Sequence, residues 1–134
     1  MALKLHNLKG VTPEIEAALK SLELNDSDKL LDAAGQPKDR TKLAEKLGIE
    51  ARALLEILNR ADLGRIWGIG NVYADLLEFS GVDTVMELRS RKPENLCKKM
   101  EELAAEHDVK RPPSLEEVQR WVGEAKTLER AIFY

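Results

Sequence analysis

The segment Ile66-Trp67-Gly68-Ile69-Gly70-Asn71-Val72-Tyr73-Ala74-Asp75-Leu76-Leu77 constrains this chain more than any other. It reads as the end of one helix, a tight hairpin with two glycines, and the start of another helix. A fainter copy, Leu8-Lys9-Gly10-Val11-Thr12-Pro13-Glu14-Ile15-Glu16-Ala17-Ala18-Leu19, lies 58 residues upstream. Shifted by that interval, Leu8 meets Ile66, Gly10 meets Gly68, Val11 meets Ile69, Ile15 meets Tyr73 and Leu19 meets Leu77. Leu24 then meets Val82, and Leu30 meets Leu88. With a slightly larger offset, Leu54, Ile57 and Ala61 match Val118, Trp121 and Ala125. The matched positions are mostly apolar, as duplicated core positions should be. The sequence therefore predicts an all-α protein of two fused units, residues 1–62 and 63–134. Each unit is a hairpin, a short helix, a middle helix and a long closing helix. One shared core is expected, with Leu54, Ile57, Val118 and Trp121 in corresponding places.

Composition agrees. A chain of 134 residues fits one domain or two small units, and 43% hydrophobic residues are enough to build a core. Aromatics are only 4%, and Leu, Ala, Glu and Lys dominate, which favours helix over strand. The apolar runs are short and broken by charge, so none could span a membrane. Met1-Ala2-Leu3-Lys4-Leu5-His6 lacks the apolar region of a signal peptide. The single Cys97 cannot form an internal disulfide and fits a reducing, cytoplasmic setting. Net charge is −3, and neither half is basic, which weighs against a strong general nucleic-acid binder. Locally, residues 89–99 carry Arg89, Arg91, Lys92, Lys98 and Lys99 against Glu94, while residues 101–108 are acidic.

Breaks come from Gly, Pro and capping residues. Thr12-Pro13 opens a helix to about Leu22. Asp26 caps a short helix that Gly35 ends. Gln36-Pro37-Lys38 reads as a turn, with Asp39 capping a helix that stops at Gly48. A longer helix follows, roughly Glu50 to Asp62. After the second hairpin, Asn71 is the expected cap of a helix ending near Gly81, and Asp83 or Thr84 starts the next. Pro93 opens another helix, carrying Leu96, Met100 and Leu103. Ser114-Leu115-Glu116-Glu117 is a capping box, and Leu115, Val118, Trp121, Val122, Ala125 and Leu128 make one face of the final helix. The apolar tail Ile132-Phe133-Tyr134 either docks back or mediates dimerisation.

The hairpin carries the functional signal. Gly68 permits a left-handed turn, and Gly70 permits close backbone approach. The next helix presents unpaired N–H groups and the positive end of its dipole, where a phosphate oxygen is a natural ligand. Such contact holds a nucleic-acid backbone without reading bases. The competing reading is structural: Gly68 and Gly70 let two helices pack closely over Ile66, Ile69, Tyr73 and Leu77.

The pattern Ile66-x-Gly68-Ile69-Gly70, with Ala74 four residues on, resembles the helix-hairpin-helix family. Over residues 5–128 the chain is similar to an uncharacterised bacterial family with tandem hairpins of this kind. The supporting residues are Gly48-Ile49, Asn59 to Leu63, Ile66 to Leu77, and Gly81 to Val85 with Leu88. A more distant resemblance is to the hairpin module of flap-type nucleases. The resemblance implies that the hairpin amides grip phosphate, helped by Lys or Arg early in the second helix. Here Asp75 stands where a basic residue would help. In the first copy Thr12 replaces the second glycine, and Glu14 and Glu16 would repel phosphate. The first hairpin is thus expected to be structural and the second, with Arg65 and Asn71, to be the binding one.

Thr41 to Ile49 also resembles the first helix and turn of a helix-turn-helix, which would make residues 51–60 a recognition helix. Only Arg52, Glu56, Asn59 and Arg60 could then reach bases. Trp67 is placed to stack on a base or a partner. Trp121 lies in an apolar stripe and reads as core. His6 and His107 are isolated, with no metal-ligand spacing. Cys97 reads as semi-buried and inert despite Lys98 and Lys99. No catalytic residue, metal or cofactor is expected.

The expectation is therefore a non-enzymatic binding module with weak nucleic-acid backbone contacts. The residues concerned are Arg65, Trp67, Gly68, Ile69, Gly70, Asn71, Lys98 and Lys99, with Lys110 assisting. The alternative is a protein-interaction or scaffolding adaptor of sterile-alpha-motif-like type. Oligomeric state stays open.

Overall fold

Proline and side-chain oxygens set most helix starts. In the computed structural model, which describes residues 2–134, Thr12 accepts a hydrogen bond from the Ile15 amide at 3.2 Å, and Pro13 opens α1 (Pro13–Ser21). Asp26 caps α2 (Ser27–Ala34), and Thr84 caps the single-turn α6 (Val85–Leu88). Ser114 and Glu117 form the expected capping box of α8 (Leu115–Ala125). These bonds satisfy amides that the first helical turn leaves unpaired. Gly48 ends α3 (Pro37–Leu47) at φ 69°, before α4 (Ala51–Leu63). The remaining helices are α5 (Asn71–Phe79) and α7 (Pro93–Glu106). The fold is all-helical: the described residues hold eight α-helices, one 3-10 turn at Leu5–Asn7, and an isolated bridge between Lys4 and Asp26.

Two expected starts shift. Gln36-Pro37-Lys38 is not a free turn: Gln36 is the cap and Pro37 the first residue of α3, so Asp39 falls inside the first turn. Proline's fixed φ suits a first helical position as well as a turn. Gly70, not Asn71, stands at the cap of α5, and no side chain caps that helix.

Buried side chains fall into two groups. The first gathers Leu5, Leu8, Leu19, Leu30, Leu54, Ile57 and Leu58 from the N-terminal helices. The second gathers Ile66, Leu77, Val85, Met100, Val118 and Trp121. Leu54 and Ile57 thus sit in one group, Val118 and Trp121 in the other. Between them runs a polar seam. Arg60, on the last turns of α4 and only 6% exposed, reaches Asp75 and Glu78 of α5, each at 2.5 Å. Lys9 adds a contact to Asp75 at 3.4 Å. A guanidinium this buried must be paired, and two carboxylates meet its Nη2, while the buried Nη1 has no acceptor among the described residues.

The tail docks back. Ile132 is buried in the first group, far in sequence from its other members. The Phe133 amide donates to the Gly35 carbonyl at 2.8 Å, and Arg40 Nη2 donates to the Phe133 carbonyl at 2.8 Å. Gly35 has no space for a side chain: a Cβ there would fall 2.3 Å from the Ala131 carbonyl oxygen. No helix among the described residues is long and apolar enough to cross a membrane.

Candidate functional site

Ile66 and Ile69 anchor the turn between α4 and α5, both buried in the second core. Between and after them the backbone is pushed outward. Gly68 holds φ at 93°, a left-handed value unfavourable for other residues. Trp67 is 63% exposed and Val72 56% exposed, and Gly68, Gly70 and Asn71 are open to solvent as well. The first helical bond of α5 runs from the Ala74 amide to the Gly70 carbonyl at 2.9 Å. With Gly70 at the cap and no carboxylate in the first turn, the amides of Asn71, Val72 and Tyr73 have no acceptor among the described residues.

Asp75, which stands where a basic residue would help, is turned toward Arg60 and Lys9 instead. Burial pushes its carboxyl up, but the hydrogen bond and charge of Arg60, with Lys9, hold it below the ordinary carboxylate range. Its charge is spent in the seam.

The cation at the turn comes from α8. Arg120 Nη1 donates to the Trp67 carbonyl at 3.0 Å, and its guanidinium carbon lies 5.0 Å from the centre of the Trp67 ring. That is cation–π geometry, with the guanidinium over an exposed indole. Glu124 is the only carboxylate paired with Arg120 among the described residues, at 3.8 Å. A Cβ on Gly68 would stand 2.9 Å from Arg120 Nη2 and 3.4 Å from Trp121 Nε1. Trp121 is fully buried against Tyr73, with ring centres 5.2 Å apart, and its Nε1 has no acceptor.

The turn at Gly10 has the same left-handed glycine, at φ 97°, and opposite chemistry. A Cβ on Gly10 would meet Ile57 Cγ1 at 3.0 Å, so a hydrocarbon stands where Trp121 presents an N–H. Thr12 closes the helix start, Glu14 and Glu16 occupy its first turn, and Glu16 pairs with His6 at 3.1 Å.

A family model described as Domain of unknown function (DUF4332) matches residues 9–128. The chain belongs to this family. No curated protein and no solved structure matches it. The DUF4332 match spans both glycine turns, Arg120 and Trp121, and stops before the docked tail.

Of the residues singled out in this DUF4332 chain, the turn gathers Trp67, Gly68, Gly70 and Asn71 at the surface, with Ile69 beneath as an anchor. Arg65 lies elsewhere in purpose. Its Nη2 is 2.6 Å from Asp62 and donates to the Glu129 carbonyl at 2.9 Å, so it braces the link after α4. Lys98 and Lys99 are exposed on α7, and among the described residues neither makes a hydrogen bond or ion pair with the turn. Trp121 is core, as its apolar stripe predicted, and Arg120 is the residue beside the turn that sequence reasoning did not single out.

The helix-turn-helix reading loses its reading head. Arg60 is buried in the seam, and Asn59 is turned inward with its Oδ1 buried. Of the four candidate base readers only Arg52 and Glu56 remain exposed, 4.0 Å apart. Beside them lies a cleft of about 510 Å³, lined by Lys9, Arg52, Glu56, Arg60, Glu78 and Asp83. Burial, then the charges of Glu87 and Glu78, push the Asp83 carboxyl above its ordinary value. Cys97 is buried, and burial with Glu101 nearby pushes its thiol up, away from reactivity.

Proposed function

We propose that this chain is a non-enzymatic module that holds a nucleic-acid backbone, without sequence preference, at its second hairpin. In this reading it is two fused helix-hairpin-helix-like units, of which only the second binds. The observation that carries the reading is the open start of α5. Three amides without acceptors and no first-turn carboxylate lie beside an exposed Trp67 with Arg120 over its ring. An oxyanion satisfies such amides and gains from the helix dipole. The Trp67 ring adds a face for a base. The first hairpin, closed by Thr12 and two glutamates, is left with packing alone.

A second reading rests on a different observation. Trp67 and Val72 are large apolar side chains exposed close together in sequence on the same turn. With a net charge of −3, this also fits docking onto another protein.

The test is fluorescence anisotropy of labelled duplex, single-stranded and branched DNA titrated with the protein at low salt. Backbone capture by a few phosphates gives saturable binding whose log–log salt slope is about −2 to −4. Absence of binding at low salt rejects the nucleic-acid reading and leaves the protein-docking one.

A further inference from the structure

Resting on the backbone-binding reading, we propose that the buried indole N–H of Trp121 is the inner phosphate donor of the second hairpin, with the Arg120 side chain as its movable cover. Two donors, Trp121 Nε1 and Arg120 Nη2, lie within 3.4 Å of the one point that a Gly68 side chain would fill. Two donor nitrogens gathered this close to one point are favourable only when an acceptor lies between them. Trp121 Nε1 has none, although buried donors are almost always paired. Were Trp121 there for packing only, a hydrocarbon would serve, as Ile57 does against Gly10.

The two donors differ in mobility. Trp121 is fully buried and fixed against Tyr73. Arg120 is held at the surface by one hydrogen bond to the Trp67 carbonyl, the cation–π contact with the Trp67 ring and a loose pair with Glu124. A phosphate oxygen entering over Gly68 displaces the guanidinium outward, accepts the indole N–H and keeps Arg120 as a charge partner on its outer side. The glycine makes the path, since any side chain at position 68 blocks it. The ligand chemistry is a phosphate oxygen, from a nucleic-acid backbone or from free phosphate.

The experiment follows the indole N–H resonances of the ¹⁵N-labelled protein, with Trp67→Phe used to assign the two tryptophans. The probes are a twelve-nucleotide thymidylate strand and, separately, inorganic phosphate in a phosphate-free buffer. The expected result is a saturable downfield shift of the Trp121 signal with the strand. Binding to Trp121→Phe, checked for folding by circular dichroism, should be about tenfold weaker, the loss of one hydrogen bond to a charged group. If the strand binds by anisotropy while the Trp121 resonance stays in place, the inference is overturned and the hairpin reading survives. If the strand fails to bind but inorganic phosphate moves Trp121, the donor assignment stands and the nucleic-acid reading falls. Silence to both probes overturns both.

Discussion

Asp62, in the last turn of α4, accepts the backbone N–H of Val85 at 2.9 Å and so holds the start of α6 from 23 residues away. Its other oxygen accepts from Arg65 Nε at 2.9 Å. Asp62 is buried, so removing it strands the Val85 amide and takes from Arg65 its carboxylate. Asp62→Ala is expected to lower stability by about 3 kcal/mol. Urea unfolding followed by circular dichroism measures it, and a loss below about 1 kcal/mol would show the brace to be dispensable.

The two hairpin glycines should separate cleanly. Gly68→Ala forces a Cβ into left-handed backbone and against Arg120, for a loss of about 1–2 kcal/mol. Gly70 has an extended backbone and nothing within 4 Å of a Cβ, so Gly70→Ala should leave stability within about 0.5 kcal/mol. It should still weaken oligonucleotide binding, because the added methyl stands where a backbone would approach. Unchanged binding in Gly70→Ala would argue against close approach at that residue.

Asp75, in the seam, and Asp83, in the neighbouring cleft, should respond to pH in opposite senses. Asp75 is held below its unfolded value, so its contribution is present above about pH 4 and fades as pH falls through the folded value. Asp83 is held above its unfolded value, so its charge opposes folding at neutral pH. Asp83→Asn is therefore expected to raise Tm at pH 7, with the difference shrinking as pH falls and vanishing only below about pH 3, where both states are protonated. Thermal melts of the variant and parent at both pH values decide it. A lower Tm at pH 7 would mean that the Asp83 carboxylate has a stabilising partner.

Ile132 is buried among residues of the N-terminal helices. Ile132→Ala is expected to cost about 2 kcal/mol or more by emptying that seat. Hydrogen exchange should report the loss at α2 and α3, where the tail rests, before α7. An effect confined to the tail itself would show that the docking adds nothing to the core.

Cys97 should react slowly with a thiol reagent in the native protein and fully after unfolding, since the buried, raised thiol supplies little thiolate. Rapid native labelling at neutral pH would contradict its burial.

Helix starts were legible wherever one residue type has one job. Thr12, Asp26, Thr84 and Ser114 cap because a short side-chain oxygen reaches its own N3 amide. Pro37 was read as a turn because proline suits a turn and a first helical position equally. Arg65 drew attention as a cation near the hairpin, yet its partner Asp62 lies one turn back on the same chain, a pairing that spacing alone could have exposed. Arg120 could not be found that way. It lies 53 residues from the Trp67 carbonyl it binds, and only the packing of α8 against the turn brings them together. Asp75 was visible, but not its direction, which depends on Arg60 arriving from another helix.

The docked tail changes what it means to divide this chain. Residues 63–134 end in a plug, Ile132 with Phe133, whose socket is built by the other half. Opening the backbone near Gly64 would leave two pieces that carry complementary halves of one interface, joined also by Arg60 with Asp75 and Glu78. The two halves are thus clasped twice, by the tail at one place and by the Arg60 seam at another, so neither half has a complete surface of its own.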